Sequence, residues 1–321
     1  MKQIKALIIG ISGQDGAYLA KHLLQLGYEI HGTSRDAELS NFSSLRELGI
    51  YEKIKVHSMS LIDFRSVMQT ILEIKPDEIY NLAGQTSVGL SFVQPVETLE
   101  SISIGTLNIL EVLRFHKLEA KFYNASSGEC FGETDLNGAS EDAQFRPRSP
   151  YAVAKAAAFW QVANYREAYG IFACSGILFN HESPLRPKRF VTKKIVKTVC
   201  EIKKGTQNIL PLGNLKIHRD WGYAPEYVGA MSLMLQQDKP DDFIIATGHS
   251  ISLEDFTRIA FGTVGLKMDN HIAINDSLMR PSDIIYSKGN PSKANKILNW
   301  KAKANVEELI MIMIQSELAN L

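Results

Sequence analysis

Cysteine is scarce in this chain of 321 residues. Its three copies, Cys130, Cys174 and Cys200, are odd in number, far apart and without a CxxC pair. That excludes a disulfide framework and offers no zinc site, so no metal is expected, and the pattern fits a reducing cytoplasm. Charge of one sign is lacking too, since Lys plus Arg and Asp plus Glu both number 35. With no field of either sign, neither nucleic acid nor an anionic membrane is an expected partner. Long hydrophobic runs are missing as well. Spanning a bilayer takes about eighteen consecutive apolar residues, and the stretch from Leu309 to Ile314 falls far short. The opening MKQIKALIIG has too short an apolar run for a secretory signal and no small-residue cleavage site, so it reads as a first β-strand and the protein as soluble. Hydrophobic residues make up 45% and charged residues 22%, as in globular proteins. The length is generous for one core, and two domains sharing a cleft are expected.

Strand-like and helix-like runs alternate through the first half, the signature of βαβ units and a parallel sheet. Strands are expected at Ala6 to Ile9, Glu29 to Thr33, Ile54 to Ser58, Glu78 to Tyr80, Lys121 to Ala125 and Phe172 to Leu178. A helix is expected near Gln14 to Leu26, and a long one from Pro150. Beyond Asn180, Pro184, Pro187, Pro211 and several basic residues break the periodicity, as in a binding segment laid over a scaffold. A further strand at Phe243 to Thr247 is expected to rejoin the sheet. Ser252, with Asp255 three residues on, marks a helix start. The fold class is therefore α/β: a Rossmann-type doubly wound parallel sheet with a smaller, discontinuous C-terminal substrate domain. The expected division is 1–179 plus about 217–253 for the dinucleotide, and about 180–216 plus 254–321 for the substrate.

Gly10, Gly13 and Gly16 form GISGQDG between the first strand and the first helix. Such a turn lets a pyrophosphate approach free N–H groups at a helix N-terminus. The spacing is GxxGxxG, and a lone glycine triplet is weak; the strand before it and the helix after it turn it toward a cofactor. The second strand ends in Thr33-Ser34-Arg35-Asp36. Arg35 suits the 2′-phosphate of NADP, whereas Asp36 leans toward NAD, and NADP is the cofactor expected. In SPYAVAK, Tyr151 and Lys155 stand four apart at the start of a helix and share one face. A tyrosine of pKa about 10 is a poor base until an ammonium and an oxidised nicotinamide stabilise its phenolate. In NASSGE, beyond a strand's C-terminal end, Ser127 can bond a sugar hydroxyl and Glu129 can act as acid or base. A simple reductase or epimerase needs no such carboxylate, whereas elimination of water does.

GISGQDGAYLA, EIYNLAGQTSV, RPRSPYAVAKAAAFW, GILFNHESPLR, FVTKKI and HRDWGYAPEYV closely resemble, in order and spacing, the GDP-mannose 4,6-dehydratase family of extended short-chain dehydrogenases/reductases. The resemblance runs through Arg280-Pro281 and Leu298-Asn299-Trp300. It implies a redox-neutral dehydration in a homodimer or homotetramer. Tyr151, Lys155, Ser127 and Glu129 would be catalytic, Ser127 standing where the family usually has Thr. It further assigns Gln14, Asp15, Leu82 and Ala83 to the cofactor, along with Tyr151 and Lys155. To the GDP-sugar it assigns Ser91, Ser127, Glu129, Asn180, Thr192, Lys194, Arg219 and Arg280. Three departures stand out. Ser60 replaces an acidic residue expected on adenine; Asp36 and a shorter AELSNFSS segment replace a loop that helps assemble tetramers; Gly128 replaces a frequent Ser, which suggests freedom at the sugar end. A GDP-manno-heptose substrate, a nucleotide-sugar epimerase or 4-keto reductase, and a module that binds without turnover are the competing readings.

Overall fold

The apolar runs of the first half become one parallel sheet. The computed structural model describes residues 3–320; Met1, Lys2 and Leu321, at the outer ends of the two expected domains, lie outside the described residues. The strands β1 (Lys5–Ile9), β2 (Glu29–Ser34), β3 (Ile54–Ser58), β4 (Glu78–Asn81), β5 (Lys121–Ser127) and β6 (Ala173–Leu178) join Phe243–Ile245 in a seven-stranded sheet. From edge to edge the order is Phe243–Ile245, β6, β5, β4, β1, β2, β3, and every neighbouring pair is parallel. Helices cover both faces, so a strand such as β1 is apolar nearly throughout, with Ala6, Leu7, Ile8 and Ile9 all buried. Burying one large aliphatic side chain of this kind contributes roughly 1.5–3 kcal/mol.

Strand order reverses between β1 and β4, and a crevice opens at such a point beyond the strands' carboxyl ends. Into it feed the glycine turn after β1, residues 82–86 after β4, and the turn after β5. The helix α1 (Gln14–Gln25) starts at Gly13, which has no side chain to cap it. The long helix Pro150–Tyr169 is capped by Ser149, whose Oγ accepts from the Ala152 N–H, and ends at Gly170 with φ 66°. Between β4 and β5, the helical run Pro95–Phe115 is interrupted by a π turn at Glu100–Ile104.

Several expected elements shift in detail. β5 extends to Ser127, so that residue closes a strand rather than following one. The strand Phe243–Ile245 joins β6 but stops short of Thr247, whose N–H and hydroxyl both donate to Asp220. At the helix Leu253–Thr263, Ser252 Oγ accepts from the Asp255 N–H and also donates to the Asp255 carboxylate at 2.6 Å. The carboxylate therefore meets the hydroxyl and not the capping N–H; the reciprocal box forms instead at Asn305 and Glu308.

A separate apolar core gathers the helices Val191–Lys203, Leu253–Thr263 and Val306–Ala319 around residues such as Val199, Phe256 and Met313. Ala294, Leu298 and Trp300, inside the range expected for the substrate part, pack into a core of the sheet instead. Among the described residues, no helix is long and apolar enough to cross a membrane, and no group of three or more His, Cys, Asp or Glu could hold a metal ion.

Candidate active site

The glycine turn is shaped for close approach. Gly10 has φ +88°, and a Cβ there would lie 3.0 Å from the Ala83 backbone; one on Gly16 would lie 2.4 Å from the Gly10 carbonyl oxygen. Only hydrogen fits at either place because backbone packs against it, and both glycines line a cavity of about 850 Å³. Gly10, Gly13, Gln14, Asp15, Gly16, Arg35, Leu82 and Ala83, all expected at a cofactor, line it together, and Ser60 lies on its wall. These residues fit a dinucleotide: a cradle without side chains, open N–H groups at the start of α1, and a cation at the far end. Asp36 also lines the cavity, but its Oδ1 accepts from the N–H groups of Glu38 and Leu39 at 3.0 Å, and its carbonyl accepts from Ser40. Its carboxylate ties the short loop to itself.

A second cavity, of about 640 Å³, meets the first at Asp15, Leu82, Thr86, Arg186, Arg189 and Phe190. Ser127, Glu129, Tyr151 and Lys155 all line it. Lys155 is buried and donates to the Ala125 carbonyl at 2.7 Å, with its Nζ 5.9 Å from the centre of the Tyr151 ring. Burial brings its ammonium down to about 8. Burial also pushes the Tyr151 phenol well above its ordinary range, against a hydrogen bond with Ser127 that pulls it down. Tyr151 is thus a neutral phenol at rest, and its activation needs positive charge brought nearby. Glu129 sits in the turn Gly128–Phe131 that follows β5, its N–H donating to Ser127 Oγ.

Asn180, Thr192, Lys194, Arg219 and Arg280 line the same cavity. Four of these side chains are already engaged: Thr192 donates to Glu182 at 2.7 Å and Lys194 to the Pro211 carbonyl at 2.6 Å, and the two arginines have acidic partners. Arg219 is the most committed. Its terminal nitrogens donate to the carbonyls of His218 and Ile284 and to Asp283, while its Nε stands 3.9 Å from Glu129. Arg280 lies 3.6 Å from the same Asp283.

Two expectations need correction. Ser91 is fully buried, donates to the Val88 carbonyl and lines neither cavity, so it is not placed to meet a substrate. Gly128 does not open the sugar end either: a Cβ there would meet the Phe179 ring at 3.0 Å, so an aromatic face already fills the space. Sequence reasoning also missed residues. Arg186 borders both cavities with its guanidinium 3.6 Å over the Phe190 ring, and its Nε pairs with Glu182 at 3.0 Å. The cluster of basic residues between prolines in SPLRPKRF was its only signal. His181 pairs with Asp15, 166 positions away in the sequence, and nothing in either local sequence announces the other.

A doubly wound parallel sheet, a glycine cradle at its switch point and a Tyr-Lys pair facing Ser127 and Glu129 define an enzyme of the extended short-chain dehydrogenase/reductase class. A family model described as GDP-mannose 4,6 dehydratase matches residues 7–313. GDP-mannose 4,6 dehydratase 1 of Arabidopsis thaliana is 45% identical over 325 aligned residues, covering 98% of this chain and 89% of that protein. The chain belongs to the GDP-mannose 4,6-dehydratase family. Among solved structures, dTDP-glucose 4,6-dehydratase from Bacillus anthracis in complex with NAD superposes with a TM-score of 0.85 at 18% identity, over 99% of this chain and 97% of that one. RMD from Pseudomonas aeruginosa complexed with NADPH gives 0.82 at 21%, over 99% and 100%. At these identities the two show a shared fold.

Proposed function

We propose that this chain removes water from GDP-mannose to give GDP-4-keto-6-deoxy-mannose, with an NADP that is restored in each turnover. The observation that carries this reading is Glu129 in one cavity with Tyr151, Lys155 and Ser127, a carboxylate that oxidation or epimerisation alone would not need. When bound, the nicotinamide supplies the redox chemistry, taking a hydride from C4 and giving it back at C6. Tyr151 takes the proton of the C4 hydroxyl, and Ser127 holds the oxygen as it becomes a carbonyl. The carbonyl acidifies C5–H; Glu129 removes that proton and delivers it to the C6 hydroxyl, which leaves as water, and C5 regains a proton as hydride returns to C6, matching the one that Tyr151 took from the C4 hydroxyl. Offering GDP-mannose and GDP-manno-heptose side by side tests the sugar assignment. With Phe179 filling the space over Gly128, GDP-mannose is expected to turn over faster, and preference for the heptose would overturn that assignment.

The Tyr151 and Lys155 protons belong to one coupled pair. The working state, phenolate beside ammonium, has lost one proton relative to the resting pair. With the ammonium at about 8 by burial, kcat/KM is expected to rise with pH to an apparent pKa no higher than about 8, since a cationic nicotinamide favours the phenolate further. A profile that falls from pH 6 to 8 would contradict this.

NADP is favoured over NAD because Arg35 borders the cavity while the neighbouring Asp36 carboxylate is held by its own loop. Replacing Arg35 by Ala is expected to weaken NADP binding by about ten- to a hundredfold, the loss of one or two charge-assisted hydrogen bonds, and to leave NAD binding nearly unchanged. Equal losses for both, in a calorimetric titration, would remove Arg35 from the 2′-phosphate. The dinucleotide part is taken as 1–179 with about 217–253, and the GDP-sugar part as about 180–216 with 254–321, the latter lending Ala294, Leu298 and Trp300 to a core of the sheet. Exposed Val96, Leu99, Val153 and Trp160 on the helical run Pro95–Phe115 and the long helix support a homodimer through that face; sedimentation at the mass of one chain would refute it.

A further inference from the structure

The waist between the two cavities holds a partly buried ion pair for which the reaction above has no use. His181 lies on β7 (Asn180–Glu182), just past the end of β6, and Asp15 in the first turn of α1. His181 Nε2 stands 2.9 Å from Asp15 Oδ2, while Nδ1 stands 2.7 Å from the Phe179 carbonyl. A carbonyl oxygen can only accept, so Nδ1 carries a proton. The other Asp15 oxygen accepts from Gln14 Nε2 at 3.0 Å, and against its burial His181 and Gln14 hold the carboxyl at about 2, so Asp15 is ionised and Nε2 carries a proton too. The ring is therefore an imidazolium. Gln14 extends the junction: its amide nitrogen also donates to the His181 carbonyl, and its amide oxygen accepts from Ser183 Oγ at 2.7 Å.

We propose that Asp15 and His181 are a charge-matched pair of positioning residues. Asp15 keeps His181 protonated, and His181 cancels the carboxylate that the glycine turn would otherwise present to an anionic dinucleotide, while fastening β7 and its Asn180 to the cofactor helix. The proposal rests on reading that turn as the dinucleotide site. A carboxylate in the first turn of α1 suits the helix dipole but opposes a pyrophosphate approaching the same N–H groups. The imidazolium removes the conflict without taking the N–H groups away.

Other groups face the ring as well. Arg186, on the segment after β7, disfavours its charge; the Tyr227 ring, on the helix Ala224–Leu235, stacks on it at 4.8 Å between centroids; Glu182, beside it on β7, is occupied by Arg186 and Thr192. Burial also works against the imidazolium, yet Asp15 outweighs both and raises the ring above its ordinary range. Burial likewise opposes the Asp15 charge, and His181 overrides it, holding the carboxyl at about 2. The two signs define one window: the pair is intact between the lowered value of Asp15, about 2, and the raised value of His181, and is lost as pH falls through the first or rises through the second.

The test is a charge-balance cycle on the full chain, read by NADP binding and by imidazole nitrogen NMR, neither of which requires turnover. In the wild type, both His181 nitrogens are expected to be protonated at pH 7.5. His181→Gln leaves Asp15 uncompensated and is expected to weaken NADP binding by roughly ten- to a hundredfold. Asp15→Asn is expected to make binding fall as pH rises through a value below the ordinary imidazole range of about 6.5, since burial and Arg186 then act on the ring without Asp15 to oppose them. The double variant, free of both charges, is expected to recover most of the affinity lost in His181→Gln, which a purely structural contact would not do. A neutral His181 ring at pH 7.5, or a double variant that binds NADP no better than His181→Gln, would overturn the proposal. Failure of GDP-mannose to turn over would leave these results intact and count against the substrate assignment alone.

Discussion

Glu129→Gln is expected to slow water loss from GDP-mannose by about 10²–10⁴-fold, the usual contribution of a positioned acid or base, while oxidation at C4 continues. The amide has nearly the shape of the carboxylate and leaves the backbone N–H bonded to Ser127, so the turn Gly128–Phe131 should keep its form. What it cannot do is accept the C5 proton. The reaction would then stall after its first half. Up to one equivalent of NADPH per site is expected to appear at 340 nm and persist, with no loss of mass from the hexose. Dehydration within tenfold of the wild-type rate would remove Glu129 from proton transfer and leave the chain closer to an epimerase or reductase.

Tyr151→Phe is expected to stop the reaction one step earlier, with a loss of similar size, about 10²–10⁴-fold. The ring packs among Ile102, Ala154 and Ala158 whether or not it carries a hydroxyl, so folding should survive. Without the phenol, nothing takes the C4 proton as hydride leaves, and neither NADPH nor dehydrated sugar should form. The two variants therefore differ in kind: one accumulates reduced cofactor and the other none. If Tyr151→Phe also accumulated NADPH, the base at C4 would have to be another group.

Much of this was legible in the sequence because its causes are local. A strand covered on both faces must be apolar nearly throughout, which is why β1 could be placed to within a residue. The glycine turn and the Tyr-Lys spacing are short-range patterns whose geometry follows from the elements that carry them. Legibility ended where a side chain's fate depends on a distant partner. Ser91 reads as a free hydroxyl but is spent on Val88 in the short helix Val88–Ser91. Gly128 reads as a vacancy but lies under Phe179. Arg219 reads as a spare cation, whereas the fold surrounds it with carbonyls and Asp283 beside Glu129. Asp15 and His181 are 166 positions apart, a separation at which no spacing rule operates. Asp36 likewise depends on a contact rather than on its identity: as a letter it argued for NAD, whereas in the fold its carboxylate caps its own loop.

The most direct measurement is to incubate the purified protein with GDP-mannose and a catalytic amount of NADP, and to follow the sugar nucleotide by mass spectrometry and the cofactor by absorbance. The account predicts loss of one water from each GDP-mannose with no net NADPH, because the hydride taken at C4 returns at C6. An unchanged hexose mass, with NADPH formed in proportion to substrate consumed, would contradict it and make the chain a plain dehydrogenase.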